Sequence, residues 1–288
     1  MAHNIDSLLI RLFEAKPSEA LVNDNLLSYR YGVFSHNVNE SLPLKYDAHL
    51  DFVQKVSKFL TTENIIHFFP KTLIHEGDIG GDIDLHIIGN SAITHSIIKN
   101  LSLRPDNSSV LNSFASKFAY TNSNNDKIEI HFSLGSFGEL NFLKKQMAHS
   151  IIISKYNIPI LNDKYSLFFL LIQRGLSHNT IRVTDFLYFK KLYHLTNNES
   201  IIAEIKKIGL FRIYTTFCFL MKLEKSDPEL FIHHIKFNGF CHKFSLYEML
   251  LNYAFRYYSD LKHFRINGLI RIAVSPFIVA ATKLFRSR

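Results

Sequence analysis

Residues 82–88 read Asp82-Ile83-Asp84-Leu85-His86-Ile87-Ile88, and Gly89-Asn90 closes the run. Strict alternation of aliphatic and polar residues predicts a β-strand, because successive side chains point to opposite faces. Ile83, Leu85 and Ile87 then share one face, while Asp82, Asp84 and His86 share the other. Two carboxylates two positions apart lie roughly 7 Å apart along a strand. Like charges on one face repel, and Asp is depleted in strands. A cation held between or beside them offsets the repulsion, and hard oxygen donors of this kind suit Mg2+ or Mn2+. The plain alternative is an exposed strand face with polar decoration.

A second segment repeats the pattern. Residues 127–134 read KIEIHFSL, with Ile128 and Ile130 on one side and Glu129 and His131 on the other. Residues 116–120 predict a further strand, joined to it by the polar turn TNSNND (121–126). If the two acid-bearing strands are neighbours, three carboxylates and two histidines meet on one sheet face. Upstream, Gly77, Gly80 and Gly81 sit just before the strand, where glycine lets backbone N–H groups approach a phosphate. Lys71 and Thr72 follow Pro70 and offer a cation and a hydroxyl to a polyphosphate. A simple turn and a solvated lysine are the competing readings of those positions.

Working outward, residues 4–14 suit a helix and 15–46 carry mixed turn signals. Asp47 is placed to cap a helix to about Thr62, and 65–69 form a short β-like run ended by Pro70. Residues 91–101 suit a helix. After Gly138 helical periodicity dominates 139–150, 163–176, 181–195, 199–208, 211–223 and 245–263, with Asn162 or Asp163 as a cap. The expected class is α+β. An N-terminal helical extension (1–46) precedes a small mixed-sheet domain (47–137) and an all-helical domain (138–288).

The bulk properties are those of a globular chain: 288 residues, 47% hydrophobic and 20% charged. Net charge is +8 and the pI near 9.3. That favours anionic partners, nucleic acid included, without naming one. Cys218 and Cys241 lack the spacing of a zinc site or a disulfide framework, and are expected as free thiols in a cytoplasmic protein. The N-terminus reads as an amphipathic helix rather than a signal peptide. No run reaches the length of a membrane span; the nearest, 266–285, is broken by Arg271, Pro276 and Lys283.

The order of these features resembles the nucleotidyltransferase superfamily with the DNA polymerase beta-like fold. It is most similar to uncharacterised bacterial and archaeal families of that superfamily. They carry a lysine-bearing turn, a D-x-D-hydrophobic strand, and a strand reading hydrophobic-E-hydrophobic-H-aromatic. Here those are Lys71, Asp82-Ile83-Asp84-Leu85, and Ile128-Glu129-Ile130-His131-Phe132. Residues 164–192, with His178 and Asp185, resemble the families' helical segment. The resemblance implies that Asp82, Asp84 and Glu129 hold magnesium or manganese and are catalytic, with Glu129 as ligand or base. It implies that Lys71, Thr72, Gly80, Gly81 and His131 contact the NTP, and that an NMP passes to an acceptor hydroxyl with release of pyrophosphate. The acceptor is a small molecule, a protein or an RNA end. Some relatives are toxins paired with a small partner protein.

One departure stands out. Most of the superfamily has a Gly-Gly or Gly-Ser turn where this chain reads Pro70-Lys71-Thr72. A catalytically degenerate nucleotide- or partner-binding module is therefore the runner-up reading. A metal-dependent hydrolase on the same acids and histidines is a third, weakened by the absence of HxH or HExxH spacing. The aromatic and basic stretch Tyr247–Arg265 suits either nucleic-acid stacking or an amphipathic helix packing its rings inward. Asp163, His178 and Asp185 are candidates for a cleft between the two halves, or plain caps.

Overall fold

A computed structural model describes residues 41–70, 83–89, 91–106, 117–124, 126–132, 134, 143–178, 180–237 and 241–262. The chain opens with α1 (Ser41–Thr62), followed by β1 (His67–Phe68), β2 (Ile83–Ile87), α2 (Ile93–Asn100), β3 (Arg104–Pro105), β4 (Lys117–Thr121) and β5 (Lys127–His131). The five strands form one mixed sheet in the order β1-β2-β5-β4-β3. β2 and β5 are parallel, and every other pairing is antiparallel. The chain is thus α+β, as its residue pattern predicts.

α1 starts six residues before the expected Asp47 cap, at Ser41. Pro43 falls in its first turn, where a missing N–H costs no helical hydrogen bond. The helix lays Phe52, Val53, Val56 and Leu60 against Ile83, Leu85, Ile87, Ile128 and Ile130, with α2 adding Ile97. The aliphatic half of each alternating strand therefore makes one core. Between β4 and β5, the Asn122 side-chain carbonyl accepts the N–H groups of Asn124 (2.9 Å) and Asp126 (2.8 Å). Its amide donates to Asp126 Oδ2 at 2.7 Å. That polar turn is why the hairpin closes where the sequence predicts.

The second half continues with α3 (Lys144–Ala148), β6 (Ile151–Ile153), β7 (Pro159–Leu161), α4 (Asp163–Ile172), a π-helical turn (Gln173–His178), β8 (Thr180–Arg182) and α5 (Val183–Leu192). A 3-10 turn (Tyr193–Asn197) leads to α6 (Glu199–Lys207), α7 (Phe211–Ser226), α8 (Pro228–Phe237), β9 (Cys241–Lys243) and α9 (Leu246–Lys262). The expectation of helices alone after residue 138 is corrected: β6–β7 and β8–β9 are two-stranded antiparallel sheets. Of the helix expected over 139–150, residues 139–142 lie outside the described residues and the rest carries α3; α8 is an element the periodicity missed. The expected Asn162 cap is present, its side chain accepting the Tyr165 N–H at 3.1 Å. Of the aromatics on α9, Phe255 packs on the core, whereas Tyr247 and Tyr258 are exposed. Among the described residues no helix is long and apolar enough to cross a membrane.

The polar face of the sheet is also covered. In β2 all five residues are buried, so the strand is enclosed on both sides. Phe68 belongs to a second core with Phe168, Phe169, Leu171, Phe186 and Phe189. Phe169 of α4 meets the His86 ring edge-on, with centroids 5.1 Å apart. The Phe69 N–H donates to Pro159 O at 3.0 Å and ties the sheet edge to the β6–β7 hairpin.

Lys144 at the start of α3 is 9% exposed and has no ion-pair partner among the described residues. Burial penalises its charge and lowers its pKa from 10.5 to about 8. The folded chain then loses this proton first, while the unfolded chain keeps it up to about 10.5. Stability therefore rises between those pH values. Lys144→Met is expected to stabilise the fold at pH 7 by of the order of 2 kcal/mol, raising the unfolding midpoint, and to flatten the rise between pH 8 and 10.5. Thermal unfolding followed across that range checks both.

Candidate metal centre

Parallel pairing of β2 with β5 sets Ile83 beside Ile128, Asp84 beside Glu129, Leu85 beside Ile130 and His86 beside His131. Residues in register on neighbouring strands share a face. Asp84, His86, Glu129 and His131 thus converge on the face opposite the aliphatic core. His131 Nε2 lies 3.0 Å from Asp84 Oδ1 and 3.7 Å from Glu129 Oε2. Asp84, Glu129 and His131 each offer one ligand atom, all within 4.8 Å of one another. No other group of three acidic, histidine or cysteine ligands gathers like this among the described residues.

The imidazole is fixed by a ladder of rings across three strands. Phe68 is the register partner of His86, and His86 of His131. Phe68 stacks on His86 at 5.1 Å and 12°, and His86 stacks on His131 at 4.7 Å and 6°. Stacking holds the His131 ring edge-on to the two carboxylates. Opposite Glu129 on β4 stands Ala119, whose methyl group leaves room beside the acid.

Two buried carboxylates about 5 Å apart repel by roughly 3 kcal/mol at an effective dielectric constant near 20. Cations around the rim reduce that cost. Lys127 Nζ is 3.1 Å from Glu129 Oε1 and 3.6 Å from Asp106 Oδ2. On the covering layer Arg174, 4% exposed, pairs with Asp185 through Nε–Oδ1 at 2.8 Å. The contact is short but the N–H is not aligned on the oxygen. Asp185 Oδ2 accepts the Arg182 N–H at 2.8 Å and lies 3.3 Å from Arg182 Nε. Burial pushes the Asp185 carboxyl up, but Arg174 and Arg182 outweigh it and hold the group below its usual range.

The donor set of two carboxylates and one imidazole fits a divalent cation, which Asp84, Glu129 and His131 would hold. His131, expected as a nucleotide contact, is thus brought into the ligand cluster itself. Asp82, Lys71, Thr72, Gly80 and Gly81 lie outside the described residues. Asp163 lies instead among the residues lining a small surface pocket with Phe69, Ser166, Tyr188 and Lys191. His178 ends the π-helical turn. Asp185 is both the cap of α5 and the partner of Arg174. Sequence reading passed over Arg174, although a signal was there: it follows the unbroken apolar run Leu167–Ile172, which leaves its helix no polar face, and in the structure that run is buried.

A comparison with protein-family models finds no match, and neither does a comparison with curated proteins.

Removing a ligand should weaken cation binding without unfolding the chain. Asp84→Asn and Glu129→Gln are each expected to lower Mn2+ affinity more than tenfold, with His131→Ala costing less. Isothermal titration with Mn2+ measures the loss, and an unchanged affinity in all three would remove the centre.

Proposed function

We propose that this chain is a metal-dependent nucleotidyltransferase that moves an NMP from an NTP to an acceptor hydroxyl. The observation that carries the reading is the in-register pairing of Asp84 with Glu129, with His131 completing a three-ligand cluster. In the reaction the acceptor oxygen bonds to the α-phosphorus, the bond to pyrophosphate breaks, and the hydroxyl proton leaves to base or solvent. A bound Mg2+ or Mn2+ supplies charge neutralisation on the phosphates. Asp84, with Asp82 of the same D-x-D segment, holds it. Lys127 already places a cation on Glu129 Oε1, which suits Glu129 as a ligand better than as a proton acceptor. His131 brings a nitrogen donor, which favours Mn2+ over Mg2+.

The buried setting supports the same reading. Charge interactions are stronger where water is excluded, and the aromatic ladder holds the ligand atoms before substrate arrives. The net charge of +8 suits a polyanionic substrate and leaves room for a nucleic-acid acceptor. The acceptor, a small partner protein and a cytoplasmic setting belong to this proposal and not to the geometry.

One observation favours the runner-up, a module that binds nucleotide or a partner without turnover. The ligand atoms are already engaged, Asp84 by His131 and Glu129 by Lys127. The two readings separate on labelled substrate. Incubated in cell lysate with each of four α-labelled NTPs and Mg2+ or Mn2+, the wild type is expected to transfer label from at least one. Asp84→Ala and the double variant Asp82→Ala/Asp84→Ala are expected to lose it. Equal labelling by all three ends the transferase reading; metal-dependent NTP binding with no transfer selects the module.

A further inference from the structure

The π-helical turn at Gln173–His178 directs attention to the residue it carries inward. Turns of this kind are rare and frequent at functional sites; this one ends α4 ahead of β8. This one is held from outside. A Cβ at Gly175 would lie 2.1 Å from Ile213 Cδ1, so only glycine lets the turn sit against α7. The Gly175 carbonyl accepts the Asn252 amide of α9 at 2.6 Å, and the Asn252 side-chain oxygen accepts Arg212. Two helices thus fix the backbone beside Arg174.

α4 lies over the polar face of the sheet, since Phe169 meets the His86 ring. Arg174 comes about one turn further along the same helix. Its partner Asp185 is shared: one oxygen caps α5 and meets Arg182, the other meets Arg174 off the N–H axis. One carboxylate therefore serves two guanidinium groups. Asp84 is among the charges that favour protonated Arg174, against the burial that disfavours it.

Among the described residues the charges gathered here nearly balance. Asp84, Glu129, Asp185 and Asp106 face Lys127, Arg174 and Arg182, four acids against three cations. A divalent cation adds two positive charges and turns that single negative excess into a positive one. The loaded centre then favours an anion.

We infer that Arg174 is a positioning residue of the metal centre. From the covering layer it supplies a fixed positive charge toward Asp84, one that disfavours the bare cation and favours a polyanion on the cation-loaded site. The inference rests on the metal-centre reading and deepens it toward a substrate bearing several phosphates. Asp185 is the counter-ion that sets how strongly Arg174 acts.

The test uses the full chain, with Mn2+ alone as the first probe and inorganic triphosphate added to the Mn2+-loaded protein as the second. Arg174→Gln is expected to tighten Mn2+ about fivefold and to weaken triphosphate by at least as much, the size of one charge acting across several ångströms of partly screened protein. Arg174→Lys keeps both near the wild type. Asp185→Asn moves both in the opposite direction. Arg182→Gln alters a more exposed side chain and leaves Asp185 to Arg174 alone; it is expected to act like Arg174→Gln, more weakly, and it keeps the test open should the core variants not fold. A purely structural role predicts something else: both ligands weaken together, the unfolding midpoint falls, and lysine fails to rescue. That result, or no change in either affinity, overturns the inference. A wild type that binds no Mn2+ overturns it together with the metal centre. Opposite shifts in Mn2+ and triphosphate without nucleotidyl transfer leave it standing and sink only the transferase.

Discussion

The structure turns on one backbone pairing, the parallel ladder between β2 and β5. These strands are separated in sequence by a helix and two further strands, so nothing local brings them together. What fixes their register is the aliphatic face. Ile83, Leu85, Ile87, Ile128 and Ile130 must all enter the same core, and a slip of one residue would turn every one of them outward. The register that satisfies the core is the one that puts Asp84 beside Glu129 and His86 beside His131. The apolar side of the sheet thereby dictates the geometry of the polar side. A site with no apolar atom among its ligand groups is positioned by hydrophobic burial.

That arrangement carries a cost. Charged side chains are seldom buried without partners, because removal from water disfavours their ionised forms. Asp84, Glu129, Arg174 and Asp185 are all at most 7% exposed. Each is met by opposite charge or by an imidazole, yet an ion pair in the interior rarely improves on apolar packing of the same volume. A chain selected for stability alone had aliphatic residues available here, as the neighbouring positions show. The cluster is accordingly better explained by use than by folding.

Much of the sheet was readable from sequence, since period-two alternation is strong in DIDLHI and KIEIH and the Asn-rich turn closes its hairpin locally. The shared face of Asp84 and Glu129 followed from adjacency of the strands, which the sequence suggested and did not fix. Burial of that face was not readable at all. It depends on α4, some 80 residues beyond β2, laying Phe169 over His86. β6 to β9 span three residues each, too short for alternation to register. α8 escaped although Asp227-Pro228 is a start signal, with Leu230 N–H donating to Asp227 Oδ1 at 2.9 Å.

The two halves of the chain therefore both shape the surroundings of the candidate metal centre. If the sheet alone formed the centre, its polar face would be open to water, where two carboxylates and a histidine interact weakly and ring stacking has one wet side. The α4 layer changes that by excluding solvent from His86 and by bringing a buried cation on the π-turn. That turn in turn leans on α7 through Gly175 and on α9 through Asn252. A chain of contacts thus runs from the exposed helix α9 to the acids of the central strands. Its middle link is a glycine that no side chain can replace without displacing Ile213. Packing far from the acids is in this way part of what sets their charge environment, and the sheet's chemistry belongs to the whole fold.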